Sequence, residues 1–418
     1  MKKIYLLIFL ILMSIAGAPE IHALTLNSCV QKALETHPDV KRFILQVKHS
    51  QEGIKVAQAD YLPHISLNAE YDPTTTYVMP ANGIFQTHRD DGWRVGATLK
   101  QKIWDFSKTT SLIKVQKTQE EIASLSLLDA KALLAYKVKL LYELALVQQK
   151  AIFVRQKDLK TKEELYKQAE ALVKQGMKTY ADSTRLLSSV YVAKDNLVIA
   201  RSDLNKAKTA LALYIGEPIP EEVKLNDNLS TPHENMVNET SMLQDSLSLK
   251  ILQNNLIKSE LLYKATKAAH YGSIDAIASY NHQKTLNTYA TSMVGIMLNI
   301  PLYSGGQLSA QEEQAIIDKQ SAKNEFDAKV LALKEEFANL LIDLKRYEYT
   351  IKAKTSQLQA ADQTKTVISA RYKEGLATYI EVLDATALSL DAQLGLLKAN
   401  YSRRSIMHRI EYLQGKIT

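Results

Sequence analysis

Apolar residues recur at alternating steps of three and four over two long stretches. Leu186, Val190, Ala193, Leu197, Ala200, Leu204, Ala207, Leu211 and Tyr214 form one series, and Ile380, Leu383, Ala387, Leu390, Leu394, Leu397 and Tyr401 the other. A mean step of 3.5 keeps one stripe against a neighbouring helix over many turns, so both stretches are expected to pack as coiled coils. Leu187 and Val192 lie off the stripe, which leaves apolar surface for a second neighbour. Glycine and proline are missing from 97–175, 177–215 and 307–374, where Ala, Leu, Lys, Glu and Gln favour helix. A helix from about Phe106 to Lys174 would be roughly 100 Å long at about 1.5 Å per residue. An ordinary globule has no use for such an element; a coiled coil or a tall helical barrel does.

Four shorter segments alternate with a period of two. Ile65, Leu67, Ala69 and Tyr71 oppose Ser66, Asn68 and Glu70; Trp93, Val95, Ala97, Leu99 and Gln101 oppose Arg94, Thr98, Lys100 and Lys102. Ile274, Ala276, Ala278 and Tyr280 alternate with polar residues apart from Ile277, and Val294, Ile296, Leu298 and Ile300 complete the set. This pattern suits an apolar-out, polar-in membrane barrel, and equally a soluble sheet with one wet face. Four strands cannot close a barrel around a pore, so membrane strands here would have to be shared among several chains.

The chain repeats itself. Gly96, Leu99, Gly176, Thr179, Tyr180 and Gly216 fall on Gly295, Leu298, Gly375, Thr378, Tyr379 and Gly415 at a constant offset of 199 residues. Upstream the offset is 209, with Ile65, Ala69 and Tyr71 on Ile274, Ala278 and Tyr280. The change places a longer loop in the first copy, around Pro80 to Asp91. Landmarks in register over so much of each half indicate a tandem duplication.

Lys2 and Lys3 precede an apolar run from Ile4 to Met13, and Ile21-His22-Ala23 offers a cleavage site before Leu24. That is the layout of an export signal, too short to span a bilayer as a helix. The expected plan is a signal at 1–23, a first repeat at 24–216, a linker at 217–240 containing Pro218, Pro220 and Pro232, and a second repeat at 241–418. The formal charge of +7 is spread along the chain and reads as solvated helix faces, not a nucleic-acid patch. The single cysteine, Cys29, cannot form an internal disulfide. A poor lipobox in Leu26-Asn27-Ser28 favours a buried thiol over a lipid anchor.

Several motifs together resemble the TolC family of outer-membrane channels. They are Leu24-Thr25-Leu26 followed by Ala33-Leu34 and His37-Pro38; Ala57 to Pro63 leading into the first strand; and Ile300-Pro301-Leu302-Tyr303-Ser304-Gly305-Gly306 leading out of the last. Arg371-Tyr372, Gly375, Thr378 and Glu381 to Ala385 resemble the family's periplasmic tip. Gly272 departs from the pattern, standing where a proline is expected. The resemblance implies a mixed, mostly α fold: long helical hairpins forming an α-helical barrel, plus four strands contributed to a trimeric 12-stranded transmembrane β-barrel. It implies an exit duct of a tripartite efflux pump or type I secretion system, gated at its tip. The implied partners are two further copies, a periplasmic adaptor, an inner-membrane pump of RND, MFS or ABC type and outer-membrane lipid. By the same resemblance Glu381 and Asp384 are the pore constriction, Asp182 and Tyr372 a latch between hairpins, and Gly176, Met177, Gly375 and Leu376 the adaptor-docking tips. Pro301, Gly305 and Gly306 are structural. Ala377 stands where some relatives carry a latch arginine, so the latch is expected to be either weaker or built from other groups such as Lys373 or Lys178.

No H-E-x-x-H, G-x-S-x-G, phosphate-cradling glycine loop or cysteine cluster is present, and the nine histidines are scattered. No catalysis, cofactor, metal or nucleic acid is therefore expected. His37, His64 and His270 near element boundaries suit surface roles better than metal ligation. The alternative from another class is an exported coiled-coil scaffold, which explains the helices but not the four alternating segments.

Overall fold

The computed structural model describes residues 24–81, 83–226 and 238–417, so the expected signal at 1–23 and the linker residues 227–237 lie outside it. Along the chain run α1 (Leu26–Thr36), α2 (Pro38–Ala59), β1 (His64–Ala81), β2 (Ile84–Trp104), α3 (Lys108–Lys174) and α4 (Tyr180–Ile215). Then come α5 (Glu239–Asp245), α6 (Leu247–Ala268), β3 (Ser273–Lys284), β4 (Thr288–Asn299), α7 (Gln307–Lys373) and α8 (Tyr379–Leu413). The order of the first copy recurs in the second, and α3 and α7 both have 67 residues.

Two compact units form, and each draws on both repeats. One comprises 42–128 and 246–332; the other comprises residues up to 41 with 129–245 and 333–418. Tertiary packing thus groups equivalent pieces of the two copies, because a single copy has no partner for its own apolar stripes.

The first unit holds an antiparallel sheet in the order β1-β2-β3-β4. Its register aligns the apolar positions of all four strands on one face. Ile65 pairs with Leu99, Leu99 with Ala278 and Ala278 with Val294; Leu67, Ala97 and Tyr280 follow in the next row. The other face carries Asn68, Gly96, Asn281 and Thr291, then Glu70, Arg94 and Gln283. Arg94 donates to Glu70 at 3.3 Å and to Gln283 at 3.0 Å. The expected loop around Pro80 to Asp91 is not a loop: β1 and β2 stay paired out to Ala81 and Ile84. Thr74 to Tyr77 and Ile84 to Thr87 are rich in β-formers, and Gly83 at φ 81° supplies the turn.

The exits from the sheet explain two departures from sequence symmetry. Helix α3 starts at Lys108, not Phe106, because Phe106 and Ser107 take φ of 54° and 72°, as Gly305 and Gly306 do with 60° and 82° in the second copy. Asp105, buried at 2% exposure, holds the strained turn: its carboxylate accepts from the Thr109 N–H at 2.8 Å and from the Tyr61 hydroxyl at 3.2 Å. Gly272, where a proline was expected, has φ 81° and ψ −151°, and a Cβ there would lie 1.9 Å from the Asn299 carbonyl oxygen. Only glycine fits.

In the second unit the α4 stripe is buried as its periodicity predicts, with Leu186, Val190, Ala193, Leu197, Ala200, Ala207 and Leu211 inside. The α8 stripe is not. The buried residues there are Val382, Ala385, Thr386, Ser389, Ala392 and Ala399, while Ile380 is 57% exposed and Leu383, Leu390, Leu394 and Leu397 are half-buried. Small side chains allow close helix approach, so the chain uses the small stripe for itself and leaves the leucine stripe partly open. Thr25 caps α1 through Ser28, and Cys29 is fully buried in that helix, as expected. Leu24 forms a parallel bridge with Leu225, and its carbonyl accepts from the Tyr142 hydroxyl at 2.8 Å. Lys208 Nζ then donates to the carbonyls of Glu221 and Val223, both at 2.8 Å, pinning the start of the linker.

Candidate channel tip and membrane sheet

The tip belongs to the second unit. The turns 175–179 and 374–378 are the same structure twice. Gly176 and Gly375 both have φ 73°. The Met177 N–H donates to the Leu172 carbonyl at 3.0 Å, and the Leu376 N–H to Arg371 at 2.8 Å, closing each preceding helix in a Schellman-type cap. Met177 and Leu376 project into solvent, 60% and 68% exposed.

The next helices begin alike. Thr179 accepts from the Asp182 N–H at 3.3 Å, and Asp182 accepts from the Thr179 N–H at 3.1 Å. Thr378 and Glu381 repeat this capping box at 3.3 Å and 2.6 Å. Asp182 and Glu381, assigned different roles by resemblance, are thus the same position in the duplicated fold. Within this chain the Thr378 backbone N–H, then its hydroxyl, hold the Glu381 carboxyl below the ordinary range. Asp384 is exposed one turn further on the same helix.

Tyr372 is fully buried in an apolar cluster with Leu165, Ala169, Leu186, Ala377 and Val382. Its hydroxyl has no hydrogen-bond partner, and burial, then the charge of Asp182, pushes its pKa up. Asp182 and Tyr372 are therefore neighbours electrostatically without a direct hydrogen bond. Lys178 lies over the Tyr372 ring at 5.8 Å. Ala377, at the position of the absent latch arginine, is packed inside the cluster at 5% exposure. One polar tie between α4 and α8 at this end was missed by sequence reading. Arg185 Nη1 donates to the Tyr379 hydroxyl at 2.5 Å, joining α4 to α8. The 199-residue offset flags Tyr379 as a landmark, but nothing in the pattern singles out Arg185.

A buried polar layer farther along was also not anticipated. Asp158 pairs with Lys162 at 3.1 Å, and Ser389 donates to Asp362 at 2.5 Å. A charged cluster joins α3 to α8: Arg404 to Glu143 at 2.5 Å, Lys139 to Glu411 at 2.8 Å, and His408 between Glu143 at 3.6 Å and Glu411 at 3.1 Å. Burial alone would lower the His408 pKa, but the two carboxylates outweigh it and raise it. The same contacts, with Lys139, overcome burial at Glu411 and lower it to about 2. Of the histidines near element boundaries, His37 stacks on Tyr214 with ring centroids 5.6 Å apart, and His270 pairs with Glu312 at 3.2 Å.

The membrane sheet belongs to the other unit. Every residue of β4 is exposed, including Val294 at 88%, and neither β1 nor β4 has an outer neighbour among the described residues. Trp104, Phe106 and Tyr271 form an aromatic group at the helical end of the strands, with centroids 6.3 Å and 5.4 Å apart. Among the described residues no helix is long and apolar enough to cross a membrane, and no group of His, Cys, Asp and Glu is placed to hold a metal.

A four-stranded sheet with one apolar face and with both edges open among the described residues, in a chain that also folds long helical hairpins, defines a class of outer-membrane channel subunits. The family model for outer membrane efflux proteins matches residues 29–217 and 240–416, and the chain belongs to that family. It is an outer-membrane protein extending into the periplasm, and an exit duct for efflux or secretion. It is 25% identical over 432 residues to outer membrane protein TolC of Escherichia coli, covering 96% of this chain and 84% of that one. Identity to the proteases secretion protein PrtF of Dickeya chrysanthemi is 21%, over 85% of this chain and 81% of the other. The fold matches the outer membrane protein VceC of Vibrio cholerae with a TM-score of 0.82 at 16% identity, over 94% of this chain and 96% of that one. The open-state channel MtrE of Neisseria gonorrhoeae gives 0.80 at 18%, over 96% and 94%.

Proposed function

We propose that three copies assemble into one passive channel-tunnel, each giving four strands to a twelve-stranded barrel and its helices to a periplasmic tunnel. The observation that carries this reading is the sheet itself: among the described residues both edges are unpaired, and β4 is exposed along its whole length. Open edges are not tolerated in lipid, so the edges of β1 and β4 must meet in other copies. The tips at Gly176, Met177, Gly375 and Leu376 dock a periplasmic adaptor, through which an inner-membrane pump delivers cargo. Exposure of Met177 and Leu376 on rigid, twice-built turns supports that role. Glu381 and Asp384 form acidic rings at the constriction and favour cations.

The Asp182 and Tyr372 pair, with Lys178 and Arg185 in place of a latch arginine, holds the hairpins together. Mature protein purified in detergent should sediment as a trimer. A monodisperse monomer without detergent would overturn the channel assembly.

A further inference from the structure

We propose that the distal end of the β1–β2 hairpin is a contact surface between copies of this chain, and that three such ends meet over the outer mouth of the pore. The proposal rests on the trimeric reading above.

The duplication supplies an internal control. In the second copy β3 and β4 turn back after Lys284, with the Thr285 N–H bonded to the Asn287 carbonyl at 3.1 Å. In the first copy β1 and β2 continue for seven more pairs, from Thr75 with Asp90 to Ala81 with Ile84. Pairing of β2 with β3 has already ended at Trp93 and Lys284. Among the described residues these seven rungs are therefore a two-stranded ribbon with no strand on either side. The helices leave the sheet at its opposite end, so the ribbon stands on the outer side of the membrane, above the rungs that β3 and β4 supply.

Its base is built to turn. The register shifts between Asp72 and Thr75, opposite Gly92. A bulge of this kind bends the strand and adds twist. Lys284, the last residue of β3, forms ion pairs with Asp91 and, at 3.7 Å, with Asp90, which fixes the point of departure. Seven residues at about 3.3 Å each reach about 23 Å. Twelve strands about 4.8 Å apart and tilted about 40° enclose a radius of roughly 12 Å. A bent ribbon is thus long enough to reach the axis.

The composition of the ribbon suits contact with its own kind. No charged residue occurs from Thr74 to Thr87. Val78, Ile84 and Phe85 are 62%, 63% and 77% exposed near the end. Such a group facing water outside a cell is unfavourable unless covered. Pro80 near the tip lacks an N–H and blocks indefinite strand addition along that edge. The contact is therefore one of side chains at the tips, with a closed set of three. The free edge of the ribbon also continues the edge of β1 that pairs with the next copy in the barrel, so the surface extends an interface the assembly already needs.

The test is disulfide trapping on intact cells. Cys29 is the only native cysteine, is buried, and has a thiol pushed up to about 12 by burial, so it stays silent. Phe85→Cys should oxidise to a linked pair of chains within each trimer, leaving one thiol free, at a rate independent of protein concentration in detergent. Leu286→Cys, at the β3–β4 turn on the rim, should not link. Replacing residues 76–89 with a short turn like Thr285–Asn287 should leave trimers intact. Absence of linkage at Phe85 in intact trimers, or equal linkage at Leu286, would each overturn the proposal and leave the trimer standing. Loss of trimers in the wild type on native gels would instead remove the assembly on which it rests.

Discussion

Ser107 and Gly306 occupy the same turn of a duplicated fold, yet only one is a glycine. At φ 72° a residue with a Cβ carries strain of roughly 1–2 kcal/mol, and Asp105 offsets part of it through its bonds to Thr109 and Tyr61. Ser107→Gly should therefore raise the thermal unfolding temperature, an increment of up to about 1 kcal/mol. Gly272→Ala should do the reverse and lose more than about 2 kcal/mol, because its Cβ meets the Asn299 backbone. Equal unfolding temperatures for the two variants would show that neither turn is strained. At the tip, Tyr379→Phe removes the hydroxyl that Arg185 reaches while leaving the ring in place. An exposed pair of this type contributes at most about 1 kcal/mol, so folding should be unchanged while single-channel conductance in a planar bilayer rises. Conductance equal to wild type would show that the pair is idle. The tip glycines were legible from spacing alone, because φ > 0 between two long helices demands them. Arg185 was not, because a surface arginine on a helix carries no pattern.

At the scale of elements, the α3–α8 contact near Glu143 is the feature with a pH signature. His408 is raised above its ordinary 6.5, so its share of stability is whole below 6.5 and is lost as pH climbs through the raised value. Glu411 is depressed from 4.5 to about 2, so its share is whole above 4.5 and is lost as pH falls toward 2. Both are whole only between about pH 4.5 and 6.5. The difference in unfolding temperature between wild type and His408→Asn should peak in that window. A difference that stays flat up to about pH 9 would mean that His408 is held neutral. The same elements show why one stripe was read correctly and the other not. In α4 the large apolar residues coincide with the buried positions. Along the α8 stripe, from 380 to 401, the buried positions are mostly small, and periodicity weighted by hydrophobicity passes over Ser389 and the alanines.

For the whole molecule, the decisive measurements are electrical. Replacing Glu381 and Asp384 with alanine should reduce cation selectivity without closing the pore, because the proposed rings would attract counter-ions without being needed for the backbone path. Glu381 also caps its own helix, so Glu381→Gln, which keeps the capping acceptor while removing charge, should give the selectivity effect with less loss of stability. If the Gln variant keeps wild-type selectivity, the acidic residues are a solvated helix face. Bulky substitution of Gly176 and Gly375 together should abolish export while trimers persist in the outer membrane. Open space surrounds both, so the injury would fall on docking and local backbone, not on the core.

Sequence by itself determined the elements and their kind. Periods of 3.5 and 2 are set by backbone geometry, a missing glycine or proline leaves a helix uninterrupted, and a constant offset of 199 residues exposes the duplication. It also determined that the strands have one apolar face, since alternation survives any register that keeps parity. Tertiary structure alone decided which register was used, placing Ile65, Leu99, Ala278 and Val294 in one row. It alone decided that Pro80 to Asp91 continues a ribbon, that equivalent parts of the two copies gather into common units, and that Asp182 and Glu381 are both spent on capping. The physical reason is the same in each case. Local patterns fix what a segment can become, whereas the choice among its possible partners is settled by distances that the chain acquires only when distant segments pack.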